Sequence, residues 1–263
     1  GLVMCRLLDI ADEDAPKFVG WVDHLLRLFD PALPKDERLA ACRSSADFYA
    51  FCEEEIRRRR QAPQRDFITV LLEARSDEGQ GEPMLSQREV ISVLSQILIG
   101  GTETTRRSIG NLVLLLLSHP EQLAAVREDA SLIAPAIEES LRHTGTVKGL
   151  FRRTTCDVEL GGVTIPSGAL VMVTWASANR DEQVFNSPDK FDIFRTDIDR
   201  HIAFSRGPHF CLGVPLARLE LRVALERLLS RLPNLRRTDQ RPIEWVSSLT
   251  NQGPQRLDVT WGT

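Results

Sequence analysis

No stretch of this sequence is apolar for long enough to cross a bilayer. A span needs roughly 20 residues, and the longest obvious apolar run, Leu112 to Leu117, has six. The five cysteines, Cys5, Cys42, Cys52, Cys156 and Cys211, are odd in number and widely spaced, with no CxxC pair. That pattern argues against a disulfide framework and a structural zinc site, and it fits a reducing compartment, so the expected location is the cytoplasm. Neither charge sign dominates: 33 Lys and Arg stand against 37 Asp and Glu, a net charge of -4. A dedicated nucleic-acid binder would show a strong basic excess, so no nucleic acid is expected as partner. There is no internal repeat, and no signal-peptide pattern opens the chain. It begins Gly-Leu-Val rather than with Met, so a trimmed start or a fragment is expected. What is present is ordinary globular composition, 42% hydrophobic and 27% charged over 263 residues, enough for one large domain or two small ones.

The first half reads helical. Asp14 to Phe29 carries Phe18, Trp21, Val22, Leu25, Leu26 and Phe29 at helical spacing and stops before Pro31. Asp36 to Arg60 is a second predicted helix. Its closing charge run, Glu53 to Arg60, reads as a solvated helix end in which acids precede bases. Asp66 to Arg75 is a shorter helix and Ser76 to Pro83 a polar loop. Ser86-Gln87-Arg88-Glu89 is a capping-box pattern, and Ser118-His119-Pro120-Glu121 is a second, with Pro at the first helical position. Between them the spacing predicts one helix of about 30 residues, about 45 Å long. Helices from Pro120 to about Asp129 and from about Ile133 to His143 follow. The pattern then changes. Phe151 to Leu160, Val163 to Ile165 and Ala169 to Trp175 read as strands, separated by Gly161-Gly162 and Pro166-Ser167-Gly168. Asn179 to Arg206 has little periodicity, Leu212 to Leu232 is strongly helical, and Ile243 to Val246 and Leu257 to Trp261 read as short strands. The fold class is mainly α with a small β portion, of the α+β type.

Three places could carry chemistry. Cys211 lies in Phe204-Ser205-Arg206-Gly207-Pro208-His209-Phe210-Cys211-Leu212-Gly213, between a glycine-flanked loop and a helix start. Amides at a helix N-terminus favour a thiolate, which would serve as nucleophile, redox thiol or metal ligand. Gly207 and Gly213 would let backbone come close to the sulfur or a cofactor. The competing reading is a small apolar residue buried at a helix start. A zinc site from His201, His209 and Cys211 lacks a fourth ligand at a familiar spacing. The second place is Gly100-Gly101-Thr102-Glu103-Thr104-Thr105 in the long helix. Two mid-helix glycines cost roughly 1 kcal/mol each relative to Ala, which points to close approach to the backbone. A threonine hydroxyl there can bond the carbonyl one turn back, and an acid beside a hydroxyl can relay protons. The competing reading is a helix crossing through small residues. The third is Glu139-Ser140-Leu141-Arg142, an ExxR pair on one helix face. The same spacing recurs at Glu54/Arg57, Glu55/Arg58 and Glu103/Arg106.

The ordered combination is far more specific than its parts. A Gly-Gly-x-Glu-Thr-Thr helix, an ExxR helix, a paired-strand segment, an irregular meander and FxxGxHxCxG running into a helix together resemble the cytochrome P450 family. These are the haem-thiolate monooxygenases. Asp157 to Gly168 is similar to the family's sheet segment. Ala178-Asn179-Arg180-Asp181, Phe191-Asp192 with Arg195, and Leu216-Ala217-Arg218-Leu219-Glu220 resemble its soluble bacterial branch. The likeness runs from about Ala11 to the C-terminus.

The resemblance implies haem b as cofactor, with Cys211 as axial thiolate, the one metal ligand, and Phe204 shielding the sulfur. It implies Glu103 and Thr104 as the acid–alcohol pair that delivers protons to dioxygen, and Gly100 and Gly101 opening the helix beside oxygen and substrate. Arg152 and His209 would hold haem propionates, with Arg153 the alternative if the register is off by one. Glu139, Arg142 and Arg195 would form a buried structural ion network. The implied reaction inserts one atom of O2 into a small organic substrate. Electrons would come ultimately from NAD(P)H through a separate ferredoxin or flavodoxin-type donor, since no flavin or iron–sulfur motif is seen. Arg206, Arg218 and Arg222 would steer that acidic donor. A peroxide-using or isomerising enzyme is the alternative within the family; a haem-free pseudoenzyme or scaffold, or a haem sensor, is the alternative outside it.

Departures accompany the likeness. The family's N-terminal region has no counterpart here, so the chain reads as the C-terminal, haem-binding part, residues 1–263, of a single P450 domain, expected to hold haem poorly and to show little activity alone. Ser205 replaces the more usual Gly. Ile97, Gly100, Val147 to Leu150 and Ser248 to Asn251 would line the substrate pocket, where Lys148 is unusual. Lys148 would face solvent or meet an acidic substrate group.

Overall fold

The computed structural model describes residues 1–28, 33–75, 84–238 and 241–262. The chain divides into two compact units, Gly1–Thr104 and Thr105–Thr263, with the division inside one long helix.

The first unit is helical. It holds α1 (Leu2–Leu7), α2 (Ala15–Arg27), α3 (Lys35–Gln61), α4 (Phe67–Glu73) and the first part of α5 (Gln87–Ser118). The apolar stripe read from α2 is turned on α3: Phe18, Trp21, Phe48 and Phe51 form a ring cluster with centroids 5.2 to 5.5 Å apart. Ala41, Phe48, Cys52 and Ile56 bury one face of α3 at helical spacing. Phe29 and Pro31, and the Ser76 to Pro83 loop, lie outside the described residues. The Ser86–Glu89 capping box forms in both directions, Ser86 N to Glu89 Oε2 at 2.7 Å and Glu89 N to Ser86 Oγ at 3.3 Å.

The solvated reading of the Glu53 to Arg60 run is corrected for two of its members. Glu54 and Arg57 pair in the open, but Glu55 and Arg59 are buried. They fall on the face that Cys52 and Ile56 bury. Arg59 bonds Glu55, donates to Asp66 Oδ2 at 2.6 Å, and reaches the carbonyls of Leu8 and Asp9 at 3.0 Å each. Asp66 in turn caps α4 through the Thr69 amide at 2.8 Å. Burial alone would raise the Asp66 carboxyl; the Thr69 bond and Arg59 outweigh it and hold it below its ordinary value.

The second unit holds the rest of α5, then α6 (Pro120–Glu128), α7 (Ile133–Thr144), β1 (Gly149–Arg153), β2 (Val158–Leu160), β3 (Val163–Ile165), β4 (Leu170–Thr174), α8 (Trp175–Ala178), α9 (Val214–Arg231), β5 (Arg236–Arg237) and β6 (Val259–Thr260). Among the described residues three antiparallel pairs form, β1 with β4, β2 with β3 and β5 with β6. The stretch expected as one strand, Phe151 to Leu160, is two, broken where Thr154 turns its hydroxyl to the Ala169 amide and the Pro166 carbonyl. Ile243 to Val246 is not a strand: it makes an isolated bridge, Trp245 to Pro254, and a proline partner cannot extend a ladder. The second expected capping box also fails. Ser118 turns its hydroxyl back to the Leu114 carbonyl at 2.8 Å, and His119 occupies the cap position.

Leu112, Leu115 and Leu116 of α5, Ile133, Ile137 and Leu141 of α7, and Leu221 and Leu225 of α9 form the core with Phe191 and Ile193. Each such side chain contributes roughly 1.5–3 kcal/mol by leaving water. Phe191 and Ile193 belong to the aperiodic segment, so its backbone must find partners inside the protein. Gln122 of α6 supplies two, accepting from Ile193 N and donating to Phe191 O, both at 2.9 Å. Among the described residues no single helix is long and apolar enough to cross a membrane.

Candidate active site

Cys211 lies on the loop that leads into α9, with its thiol exposed and free. The loop is closed by its own backbone. The Cys211 amide donates to the Phe204 carbonyl at 3.1 Å, Ser205 N to Ile202 O at 2.9 Å, and Phe210 N to Gly207 O at 2.9 Å. That closure requires left-handed backbone at two positions, Ser205 at φ +65° and Gly207 at φ +77°. Glycine adopts this region freely, and any other residue pays for its Cβ. Gly213 matters differently: a Cβ there would lie 3.8 Å from the Cys211 sulfur, so its absence leaves backbone facing Sγ. His209 is exposed in the short turn Gly207–His209, and Phe210 and Leu212 flank the cysteine with apolar side chains that are 56% and 85% exposed.

Beside this loop opens a pocket of about 580 Å³ whose lining includes Glu138, His201, Phe204, Arg206, Phe210 and Arg218. The Arg218 guanidinium forks onto Glu138, Nε to Oε1 and Nη2 to Oε2 at 2.7 Å each, and its Cζ lies 5.3 Å from the centre of the Phe204 ring. His201 accepts the Ala203 amide on Nδ1, so the assigned tautomer donates from Nε2 to Glu138 Oε2 at 2.9 Å. With both ring nitrogens committed, His201 is not a zinc ligand. Burial by itself would raise the Glu138 carboxyl, but the bonds from His201 and Arg218 prevail and hold it at about 2. Sequence reasoning missed Glu138, weighed His201 only as a zinc ligand, and assigned Arg218 to partner steering. The structure pairs Arg218 with Glu138. Arg222 has Glu226 within 3.9 Å, and Arg206 is exposed.

Glu139, one residue along α7, serves a different cluster. Arg142 meets it bidentately, Nε to Oε2 at 2.7 Å and Nη2 to Oε1 at 2.8 Å, and Arg195 approaches at 3.3 Å. Both arginines then satisfy carbonyls of the aperiodic segment. Arg142 donates to Asn179 and Pro188 at 2.8 Å, and Arg195 to Asn186 at 2.6 Å. Glu139 accepts the Asp192 amide at 2.9 Å. The structure thus brings Glu139, Arg142 and Arg195 together as one buried cluster, with Arg142 also 5.2 Å from the Phe185 ring. Next to it His143 accepts from Thr144 and donates to the Asp189 carbonyl at 3.0 Å. Burial, with Arg180 and Arg142 nearby, pushes its imidazole down to about 4.

In the first unit, Glu103 is buried and Thr104 half-buried. The Thr104 hydroxyl bonds the Gly100 carbonyl one turn back. Gly100 and Gly101 lie inside α5, which runs unbroken from Gln87 to Ser118. The two glycines also differ. A Cβ on Gly101 would strike Met4 Sδ of α1 at 2.6 Å, the small-residue crossing, whereas Gly100 faces open space. On β1, Arg152 pairs with Val171 and Arg153 with Leu170, so the two point to opposite faces. Arg153 is tied to the Gly168 carbonyl at 2.6 Å; Arg152 is exposed and donates to the adjacent Phe151 carbonyl. Lys148 is half-buried and held rather than free in solvent. Its ammonium bonds the Ser248 carbonyl at 2.5 Å and helps zip residues 146–148 to 250–252.

The family model described as Cytochrome P450 matches residues 7–256. This chain belongs to the cytochrome P450 family. It is 40% identical over 262 residues to Cytochrome P450 107B1 of Saccharopolyspora erythraea, and 38% identical over 262 residues to Vitamin D(3) 25-hydroxylase of Pseudonocardia autotrophica. Each alignment covers 99% of this chain and 62% of the relative. Among solved P450 structures, that of CYP109Q5 from Chondromyces apiculatus superposes with a TM-score of 0.86 at 40% identity, covering 99% of this chain and 63% of that one.

The residues present fit the haem that the P450 family implies. A single exposed thiol at the head of a helix, faced by backbone at Gly213 and flanked by the apolar Phe210 and Leu212, suits a flat apolar macrocycle with a sulfur-bound iron. Cys211 would hold that group through Sγ.

Proposed function

We propose that this chain is the haem-binding part of a P450 monooxygenase that inserts one atom of O2 into a small organic substrate, with electrons supplied by a separate ferredoxin or flavodoxin-type protein. The observation that carries the reading is the exposed Cys211 thiol on a loop closed onto Phe204, at the head of α9. When bound, the haem supplies dioxygen activation, and a thiolate ligand favours O–O cleavage. The chain's own groups do the rest. Backbone amides at the head of α9 would face Sγ in the haem-bound protein. Phe204, whose carbonyl accepts the Cys211 amide, would shield the sulfur once haem covers the thiol. The Glu103 carboxyl and the Thr104 hydroxyl move protons, with the hydroxyl parked on the Gly100 carbonyl until it is needed. Arg152 and His209, both exposed, are available to propionates. The buried Glu139–Arg142–Arg195 cluster is structural: it holds the aperiodic segment and has no part in the chemistry.

The test is the absorption spectrum of the dithionite-reduced, CO-bound protein expressed with haem supplied. In whatever haem the chain retains, a red-shifted Soret band, the signature of a thiolate ligand, is expected, and Cys211→Ala should abolish it. Haem bound with an unshifted band in the wild type, or a shifted band that survives Cys211→Ala, overturns the assignment.

A further inference from the structure

Glu138 and Glu139 are adjacent on α7 and so point about 100° apart. Glu139 clamps the aperiodic segment; Glu138 faces the cysteine loop. We propose that Glu138, His201 and Arg218 form a second clamp, in which Arg218 is a positioning residue that sets the place of the Cys211 sulfur by holding Phe204. The inference rests on the haem-thiolate reading for its consequence, but not for its geometry.

Three contacts carry it. The fork of two 2.7 Å bonds fixes the guanidinium in one orientation on Glu138. That guanidinium lies over Phe204, and Phe204 supplies the carbonyl that accepts the Cys211 amide. On the other side His201 bonds the same carboxylate and takes the Ala203 amide, so the backbone entering Phe204 is pinned from residue 201 onward. A plain surface pair would contribute little. This one differs because Glu138 is only 22% exposed and collects both the Arg218 guanidinium and an imidazole donor from His201. Lysine could not replace Arg218, since an ammonium has neither a fork nor a planar face for the ring.

Amide exchange in the free chain tests the clamp without haem. In Arg218→Ala the amides of Phe210 and Cys211 should exchange about tenfold faster while those of α7 and β1 keep their protection. Arg222→Ala, on the same helix, should leave the loop unchanged. Wild-type exchange at Cys211 in Arg218→Ala overturns the proposal. If Arg218→Ala loses protection throughout, Arg218→Lys decides, because charge and stem remain while fork and stack are lost: fast loop exchange supports the clamp and wild-type exchange overturns it. With haem loaded, Arg218→Lys should lower the ratio of red-shifted to unshifted CO band, and an unchanged ratio at wild-type haem content overturns it. Absence of the red-shifted band in the wild type would fail the haem-thiolate reading, and the exchange data would still decide the clamp.

Discussion

At the scale of single residues, the cysteine loop shows how one dihedral angle selects a side chain. Ser205 sits at φ +65°, where a Cβ costs roughly 1–2 kcal/mol. Ser205→Gly should therefore raise stability by about 0.5–1 kcal/mol, and Ser205→Val should lower it by at least about 1 kcal/mol, both read from urea midpoints. Were the two variants equal to wild type, the loop would not hold the conformation seen. The usual glycine at this place in the family is explained by the angle, and serine is a tolerated departure. Lys148 teaches the opposite lesson, since nothing local in Thr146-Val147-Lys148 announces that its ammonium ends on a carbonyl 100 residues away.

At the scale of elements, buried ionic side chains do the joining where regular ladders are missing. Arg59 ties the end of α1 to α3 and α4, and Arg142 ties α7 to the aperiodic segment. Removing one partner strands a buried charge, so Arg59→Ala and Glu139→Ala should each cost about 3–5 kcal/mol in chemical denaturation. A loss under about 1 kcal/mol would mean that the cluster is wet and loose. Gln122 carries less, but its one side chain serves both Phe191 and Ile193. Gln122→Ala should cost about 1–3 kcal/mol and speed exchange at Ile193 before that at Leu141. The capping box at Ser86 was readable from four letters because both of its bonds are local. Gln122 was not, because its partners lie 69 and 71 residues on.

At the scale of the whole molecule, acid should unfold the chain in two overlapping stages. His143 is held neutral at about 4 against an ordinary 6.5, so the folded state binds fewer protons than the unfolded one across that interval. Its contribution is complete above pH 6.5 and is lost as pH falls toward 4. Glu138 is held at about 2 against 4.5, so its contribution is complete above pH 4.5 and is lost as pH falls through 2. Each is on the order of 2–3 kcal/mol. Urea unfolding from pH 7 to pH 3 should show stability falling already below pH 6.5. His143→Gln should remove the upper part of that fall and Glu138→Gln the lower part, whereas a flat profile down to pH 4 would refute the His143 assignment. The sequence by itself determined the helical majority, the strand turns and the family, because periodicity, caps, glycine turns and the FxxGxHxCxG order are local patterns or patterns in a fixed succession. Only the tertiary structure decided which of four ExxR pairs is buried, that Arg59 and Glu55 are internal, that Gly101 meets Met4 while Gly100 faces open space, and that Arg218 is spent on Glu138. Those outcomes depend on which face of one helix meets which distant segment, and desolvation and pairing act on that meeting rather than on neighbours along the chain.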